Sequence, residues 1–126
     1  MEPRPPGRTA IQKMAATHCR RRTQEARQAA ERAVLARGEV ERLKGAFLTL
    51  APDIEKIVLF GSLASGASFR SGSDIDLAVR CRPETFLRLV AEALRSPFPV
   101  DVIDLSTADA RMLAAIEQGN EVIYAK

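Results

Sequence analysis

The chain has 126 residues, 46% of them apolar, which is enough for one small globular domain. It has no apolar run of about eighteen residues, and the proline-rich start, residues 1–7, has no apolar segment, so we expect neither a membrane span nor a signal peptide. Cys19 and Cys81 are too far apart for a zinc-finger spacing, and we interpret them as reduced thiols of a cytoplasmic protein.

The net charge of +3 is unevenly distributed along the chain. Residues 1–37 carry nine basic and three acidic side chains, whereas residues 38–126 carry ten basic and thirteen acidic ones. The stretch from Thr9 to Arg37 contains neither Gly nor Pro and is rich in Ala and Arg, which predicts a long helix that ends at Gly38. We therefore divide the chain into a basic N-terminal helical arm, residues 1–37, and a domain, residues 38–126.

The arm has two interpretations. Its central arginines, Arg20 to Arg22, are able to contact nucleic acid. However, the arm has no aromatic residue on which a base could stack. We therefore favour a solvated helix, or one that packs on another chain, including a second copy in a homo-oligomer.

Strand and helix patterns alternate through the rest of the chain. In chain order we predict a helix at 39–50, strands at 57–60 and 75–79, a helix at 83–95, a strand at 100–105, a helix at 107–118 and a short strand at 122–124. The inward residues are expected to be Val40, Leu43, Phe47 and Leu50, then Phe86, Leu87, Val90 and Leu94, then Met112, Leu113 and Ile116. This alternation is typical of an α/β protein whose helices pack against a small sheet.

A possible phosphate and metal site lies between the first two strands. Gly61-Ser62 ends the first strand, and after eleven intervening residues Asp74-Ile75-Asp76 opens the second. Glycine permits close approach of a ligand to the main chain, and serine adds a hydroxyl donor, which suits a phosphate. Asp74 and Asp76 are two residues apart and point to one face of an extended segment, where carboxylates hold Mg²⁺.

A third carboxylate is available in the predicted strand at 100–105. Asp101 interrupts its apolar run, and a carboxylate in a buried strand is costly unless it is paired or bound to a metal. Each feature alone has an ordinary explanation, since residues 71–74 are favourable in a surface turn, Gly61-Ser62 in a strand-to-helix turn, and Asp101 in a local cap. Their combination favours transfer of a phosphoryl or nucleotidyl group.

These motifs resemble those of the minimal nucleotidyltransferases, which belong to the DNA polymerase β-like nucleotidyltransferase superfamily. The resemblance spans roughly residues 40–125 and is carried by three segments: Phe60-Gly61-Ser62-Leu63-Ala64 with Gly66, Ser73-Asp74-Ile75-Asp76-Leu77-Ala78-Val79, and Val100-Asp101-Val102. It implies a mixed, curved sheet flanked by helices, with the active site at one edge and the long N-terminal helix as an addition.

The resemblance also implies roles for the motif residues. Asp74, Asp76 and Asp101 would ligate Mg²⁺, with two ions present when the nucleotide is bound, and Asp101 would help to deprotonate the attacking hydroxyl. Gly61 and Ser62 would bind the phosphates of ATP or another NTP. We add Ser65, a further hydroxyl donor, and Ser73 to the predicted nucleotide-binding residues. Many relatives carry arginines just after the Gly-Ser pair, where this chain has Leu63 and Ser65, and Arg70 is the nearest cation that could replace their phosphate contact.

Minimal nucleotidyltransferases of this size resemble antitoxins that adenylylate a tyrosine of a helical HEPN-type toxin. We therefore predict transfer of AMP to such a partner. The alternatives are a catalytically weak or inactive subunit that neutralises its partner by contact, and an enzyme that modifies a small molecule or an RNA end.

Overall fold

Helices and strands alternate along the chain as the apolar patterns predict. A computed structural model describes residues 10–126, with side chains from residue 14 onward. Its elements are α1 (Ala10–Leu50), β1 (Lys56–Phe60), α2 (Gly61–Ser65), β2 (Ile75–Arg80), α3 (Pro83–Ala93), β3 (Val100–Asp104), α4 (Ala110–Glu117) and β4 (Asn120–Ala125). The predicted α/β class and the long N-terminal helix are confirmed.

The strands form one mixed sheet in the order β3-β2-β1-β4. β1 pairs antiparallel with both β2 and β4, and the second of these pairings has a register shift between Ile57 and Val58. β2 and β3 are parallel, because α3 connects them and returns the chain to the end of the sheet at which β2 begins. This parallel pairing later brings the third carboxylate beside the first two.

The two faces of the sheet are covered unequally. On one face, Ile57, Leu59, Ile75, Leu77 and Val79 are buried in a core with α1 and α3. Because successive strand residues point to opposite faces, the residues between them lie on the other face. There, a smaller cluster joins Val58, Phe60 and Ala78 to Ile116 of the short helix α4. The second face is therefore covered by a smaller apolar cluster than the first.

The predicted helix break at Gly38 is wrong. α1 runs without interruption from Ala10 to Leu50, and Gly38 does not adopt the positive φ of a glycine helix cap. Ala36 and Val40, on either side of Gly38, are buried in the same core. Burial on both sides offsets the weak helix propensity of glycine. The division into residues 1–37 and 38–126 stays a prediction, although the last turns of the arm pack on the domain.

The predicted inward face of α3 is partly wrong. Leu87 is 71% exposed and Leu94 is 79% exposed, whereas the buried residues of the helix are Thr85, Leu89 and Ala93. The side chain of Asp53 explains this orientation, because it accepts hydrogen bonds from the Arg82 N–H at 3.0 Å and the Thr85 hydroxyl at 3.2 Å. These bonds hold the Thr85 face of the helix against the loop between α1 and β1.

Some of the residues predicted to point inward from α1 and α4 are buried, and others are exposed. Val40, Leu43, Phe47 and Ile116 are buried, but Leu50 is 40% and Leu113 is 39% exposed. α4 begins at Ala110, where the Asp109 carboxylate accepts a hydrogen bond from the Met112 N–H at 2.8 Å. No helix within residues 10–126 combines the length and apolar character that a membrane crossing requires.

Candidate active site

Strand pairing brings the three predicted carboxylates together. Asp76 is the register partner of Asp101 across the parallel β2–β3 pair, and Asp74 lies just before β2. Register partners point to the same face, which here is the face that carries α4. Carboxylate oxygens of Asp74, Asp76 and Asp101 lie within 4.8 Å of one another.

The cluster has no compensating positive charge within the described part of the chain. No hydrogen bond or ion pair joins any of the three carboxylates to a described donor. Burial raises the pKa of Asp76 from 3.8 to about 6, and the charges of Asp101 and then Asp74 add to this increase. Three oxygen donors with uncompensated negative charge suit a hard divalent cation such as Mg²⁺.

Asp101 reaches this cluster for a different reason from the one expected. Its carboxylate is exposed, since β3 is an edge strand, so the argument that a buried strand would require a metal partner is wrong. The parallel register with Asp76 is what places it in the site. Asp74 is also exposed, and only Asp76 is partly buried.

Gly61 leaves the space that the Asp76 carboxylate occupies. It has a φ of +75°, and a Cβ atom at this position would overlap Oδ2 of Asp76. Phe60, the preceding residue, is the register partner of Asp76 across β1 and β2. A side chain at position 61 would therefore displace a predicted metal ligand.

The residues after Gly61 form a short helix that the sequence interpretation described only as a glycine turn. α2 runs from Gly61 to Ser65 and ends at Gly66, which adopts a left-handed conformation with φ 78°. The Ser65 hydroxyl donates to the Ser62 carbonyl at 3.3 Å and accepts from the Ala67 N–H at 3.4 Å. A glycine five residues after Gly61 was the signal for this helix end.

Leu63 explains one departure from the family pattern. Its side chain is 4% exposed and belongs to the main core, at a position where the resemblance described above led us to note the missing arginine. Arg37 of α1 contacts this part of the site instead, donating to the Leu63 carbonyl at 3.2 Å and pairing with Glu121 at 2.9 Å. No local motif marks Arg37, because its partners are distant in sequence.

The remaining predicted nucleotide contacts are arranged around the loop before β2. The Ser73 hydroxyl accepts a hydrogen bond from the Arg70 N–H at 3.0 Å, which closes the turn that precedes Asp74. The Arg70 side chain lines a cleft against α1 whose lining includes none of the three carboxylates. The nucleotide contacts of Gly61, Ser62, Ser65, Arg70 and Ser73 stay predictions.

The family of the chain follows from a match to a family model. Residues 42–126 match the family described as polymerase beta, nucleotidyltransferase. The chain belongs to this nucleotidyltransferase family. The match covers β1 to β4 and all three clustered carboxylates, and it confirms the predicted enzyme class. No curated protein sequence matches this nucleotidyltransferase.

Solved structures similar to this nucleotidyltransferase come from toxin–antitoxin complexes. A chain of a toxin–antitoxin crystal structure with AMP-PNP is 28% identical, with a TM-score of 0.53, and the alignment covers 68% of this chain and 73% of that one. A chain of a mutant MntA-HpeT toxin–antitoxin is 24% identical, with a TM-score of 0.54 and coverages of 68% and 72%.

A third similar structure contains the tri-AMPylated HEPN toxin of Shewanella oneidensis in complex with an MNT antitoxin. The matching chain is 20% identical, with a TM-score of 0.51, and the alignment covers 75% of this chain and 73% of that one. The similarity to this structure and to the MntA-HpeT mutant shows a shared fold.

Proposed function

We propose that this nucleotidyltransferase transfers AMP from ATP to a hydroxyl group of a HEPN-type protein partner and thereby acts as an antitoxin. The observation that carries the proposal is the cluster of Asp74, Asp76 and Asp101 within 4.8 Å of one another. The 28% identical toxin–antitoxin structure with AMP-PNP supports both a nucleotide substrate and this kind of partner. The AMPylated HEPN toxin of a more distant structure suggests the product.

The three carboxylates would hold Mg²⁺, most simply as two ions when the nucleotide is bound. Bound Mg²⁺ supplies neutralisation of the phosphate charge and polarisation of the acceptor hydroxyl. The acceptor oxygen would form a bond to the α-phosphorus, and the bond between that phosphorus and the bridging oxygen would break to release pyrophosphate. Asp101 would accept the proton of the attacking hydroxyl, since its carboxylate is exposed and a hydroxyl group of a partner protein could reach it.

The motif after β1 would position the triphosphate. Gly61 lacks a side chain, so its main chain lies directly against the Asp76 carboxylate, and a phosphate bound to the backbone of the turn would lie near the metal site. Ser62, Ser65 and Ser73 would add hydroxyl groups near the same loop. Catalysis would then depend on positioning and electrostatic stabilisation.

Neutralisation by contact alone is the second candidate function. It is favoured by one observation, the burial of Leu63 in the core where many relatives carry an arginine. A chain that binds its partner without transferring AMP would not require the carboxylates. The two candidates therefore differ in whether neutralisation depends on Asp74 and Asp76.

The test is transfer of label from ATP to a HEPN-type protein, sought first among the products of the genes that neighbour the gene of this chain. The full-length chain is incubated with Mg²⁺, that protein and ATP labelled at either the α- or the γ-phosphate. We expect the α-label on the partner and the γ-label in pyrophosphate. Transfer of the γ-label instead would identify phosphoryl transfer and contradict the proposal.

Matched variants identify the site. Asp74→Asn and Asp76→Asn should each abolish labelling, whereas Asp104→Asn should retain it, because Asp104 lies on the same strand as Asp101 but outside the cluster. Unchanged labelling in both cluster variants would refute the assignment. A stable complex and full neutralisation without any labelling would support the contact mechanism instead.

A further inference from the structure

A cleft between α1 and the loop before β2 carries two α1 arginines, Arg22 and Arg32, that the proposed transfer does not use. Its volume is about 550 Å³. Arg22, Glu25 and Arg32 line it from α1, and Ser68, Arg70 and Ser71 line it from the loop. It is separate from the candidate active site, because none of the three clustered carboxylates lines it.

The cleft has a strong positive charge. Three arginines and one glutamate give its lining a formal charge of +2. Among the described residues, no carboxylate forms an ion pair with any of these arginines, and Glu25 forms none either. Guanidinium groups that converge from two elements without acidic partners form a region that attracts anions.

Arg32 is held in position by aromatic packing. Its guanidinium carbon lies 5.0 Å from the ring centroid of Phe98 and 5.8 Å from that of Phe69. Its Nε is buried and has no hydrogen-bond partner among the described residues. A buried donor without an acceptor is uncommon in folded proteins. Because Arg32 also lines the cleft, an anion bound there would offer acceptor oxygens to its guanidinium group.

The donor set matches a phosphate better than a carboxylate. A phosphate monoester or pyrophosphate carries about two negative charges or more at neutral pH and several acceptor oxygens. Arginine forks bind such groups with two parallel hydrogen bonds, and the hydroxyl groups of Ser68 and Ser71 provide further donors. A single carboxylate has one charge and two oxygens, and would leave at least one arginine without a partner.

We propose that this cleft, lined by Arg22, Arg32, Arg70, Ser68 and Ser71, is a binding site for a phosphate group outside the active site. The phosphate belongs either to a free phosphorylated small molecule or to RNA. The site contains none of the three carboxylates that would hold the metal, and of the predicted nucleotide contacts it contains only Arg70. In this proposal Arg22 of the arm binds the phosphate together with Arg70 of the domain.

The test measures phosphate binding by calorimetry on the full-length chain in EDTA, so that metal bound at the carboxylates does not contribute. The probes are pyrophosphate and two RNA 12-mers of one sequence, with and without a 5′-phosphate. We expect saturable binding of pyrophosphate with one site per chain. Competition by both RNAs would identify a phosphodiester backbone as a second source of the phosphate, and competition by the 5′-phosphorylated RNA alone would identify a terminal phosphate.

Variants test whether the binding occurs in the cleft. Arg70→Gln and Arg22→Gln should each weaken binding by about ten-fold, the usual effect of losing a charge-assisted hydrogen bond. Ser68→Ala should weaken it by a smaller factor without any change of charge. Arg20→Gln is the matched control, because it removes the same charge from α1 outside the cleft, and it should leave the affinity within about two-fold.

Three results would overturn the proposal. The first is the absence of saturable pyrophosphate binding, and the second is an equal loss of affinity in the Arg20→Gln control and in Arg70→Gln, which would indicate attraction by overall charge. The third is tighter binding of a deca-glutamate peptide than of pyrophosphate, which would identify an acidic protein segment as the ligand. In an Asp74→Asn/Asp76→Asn variant in EDTA, Arg22→Gln should still weaken pyrophosphate binding, and this result does not depend on the AMP-transfer proposal.

Discussion

The Asp76 carboxylate lies in the space that a side chain at Gly61 would occupy. A Cβ atom built on Gly61 would overlap Oδ2 of Asp76, and Gly61 has a φ of +75° that side chains disfavour. The Gly-Ser turn and the Asp-x-Asp motif are therefore parts of one packed arrangement, although eleven residues separate them in sequence. The glycine is required both by the backbone conformation and by the position of the carboxylate.

We predict that Gly61→Ala lowers nucleotidyl transfer by about 100-fold or more, because a shift of about 1 Å in a catalytic group is enough for such a loss. The measurement is the transfer rate at saturating ATP, with Mg²⁺ affinity measured in parallel. Gly66→Ala is the matched control, since Gly66 also has a positive φ of 78° but no atom within 4 Å of the added Cβ. Both variants should lose about 1–2 kcal/mol of stability from backbone strain. Equal transfer rates in the two variants would contradict the role of the Asp76 contact.

Metal affinity should increase as the pH rises through about 6. The pKa of Asp76 is raised to about 6 by burial, then by Asp101 and Asp74, so that a proton competes with Mg²⁺ below this pH. We expect Mg²⁺ binding to weaken between about pH 7 and pH 5 and to release protons, as measured by calorimetry in buffers of different ionisation enthalpy. If the unmodified protein and an Asp76→Asn variant released the same number of protons on binding Mg²⁺, Asp76 would not be the group whose proton competes with the metal.

The same shift affects the metal-free fold. Since the native pKa of Asp76 exceeds its ordinary value of 3.8, the native state binds more protons than the unfolded state between about pH 4 and pH 6. Its contribution to the free energy of unfolding therefore falls as the pH rises through this range. Asp76→Asn should raise the Tm of the metal-free protein at pH 7, and Mg²⁺ should raise the Tm of the unmodified protein but have little effect on the variant. If metal-free Asp76→Asn had a lower Tm than the metal-free unmodified protein at pH 7, the predicted destabilising effect of the ionised Asp76 carboxylate would be contradicted.

Two leucines of α3 should differ sharply in their contributions to stability. Leu89 is fully buried, so Leu89→Ala should lower the free energy of unfolding by about 2–5 kcal/mol. Leu87 is 71% exposed, so Leu87→Ala should change it by no more than about 0.5 kcal/mol. Urea denaturation of both variants checks the observed orientation of the helix. A larger loss in Leu87→Ala would favour the face that the sequence pattern predicted.

Gly38→Ala distinguishes a continuous helix from two helices separated by a glycine cap. In the observed helix no atom lies within 4 Å of an added Cβ, so alanine should stabilise the protein by about 0.5–1 kcal/mol. If Gly38 were a left-handed cap, alanine would destabilise the protein instead. The sign of the change in Tm separates these arrangements.

The three clustered carboxylates and the glycine turn were recognisable in the sequence because their signals are local or because the residue type is unusual at that position. Gly61-Ser62 and Asp74-x-Asp76 follow or open apolar runs, and Asp101 stands out in a third run. The pairing partner of each strand was not predictable in the same way, because register depends on the α3 crossover and on the sheet order. The prediction that Asp101 lies in a buried strand was wrong, because an apolar run does not show whether its strand lies at the edge of the sheet.

The sequence by itself determined the alternation of helices and strands, the family of the chain and the residue types that can hold a metal and a phosphate. These properties depend on short-range periodicity and on motifs whose chemistry is carried by a few neighbouring residues. Only the tertiary structure decided which face of α3 is buried, that α1 continues through Gly38, and that Arg70 lies against the arginines of α1. Burial, register and charge proximity are properties of residues far apart in the chain, and they arise only when the sheet and its helices pack together.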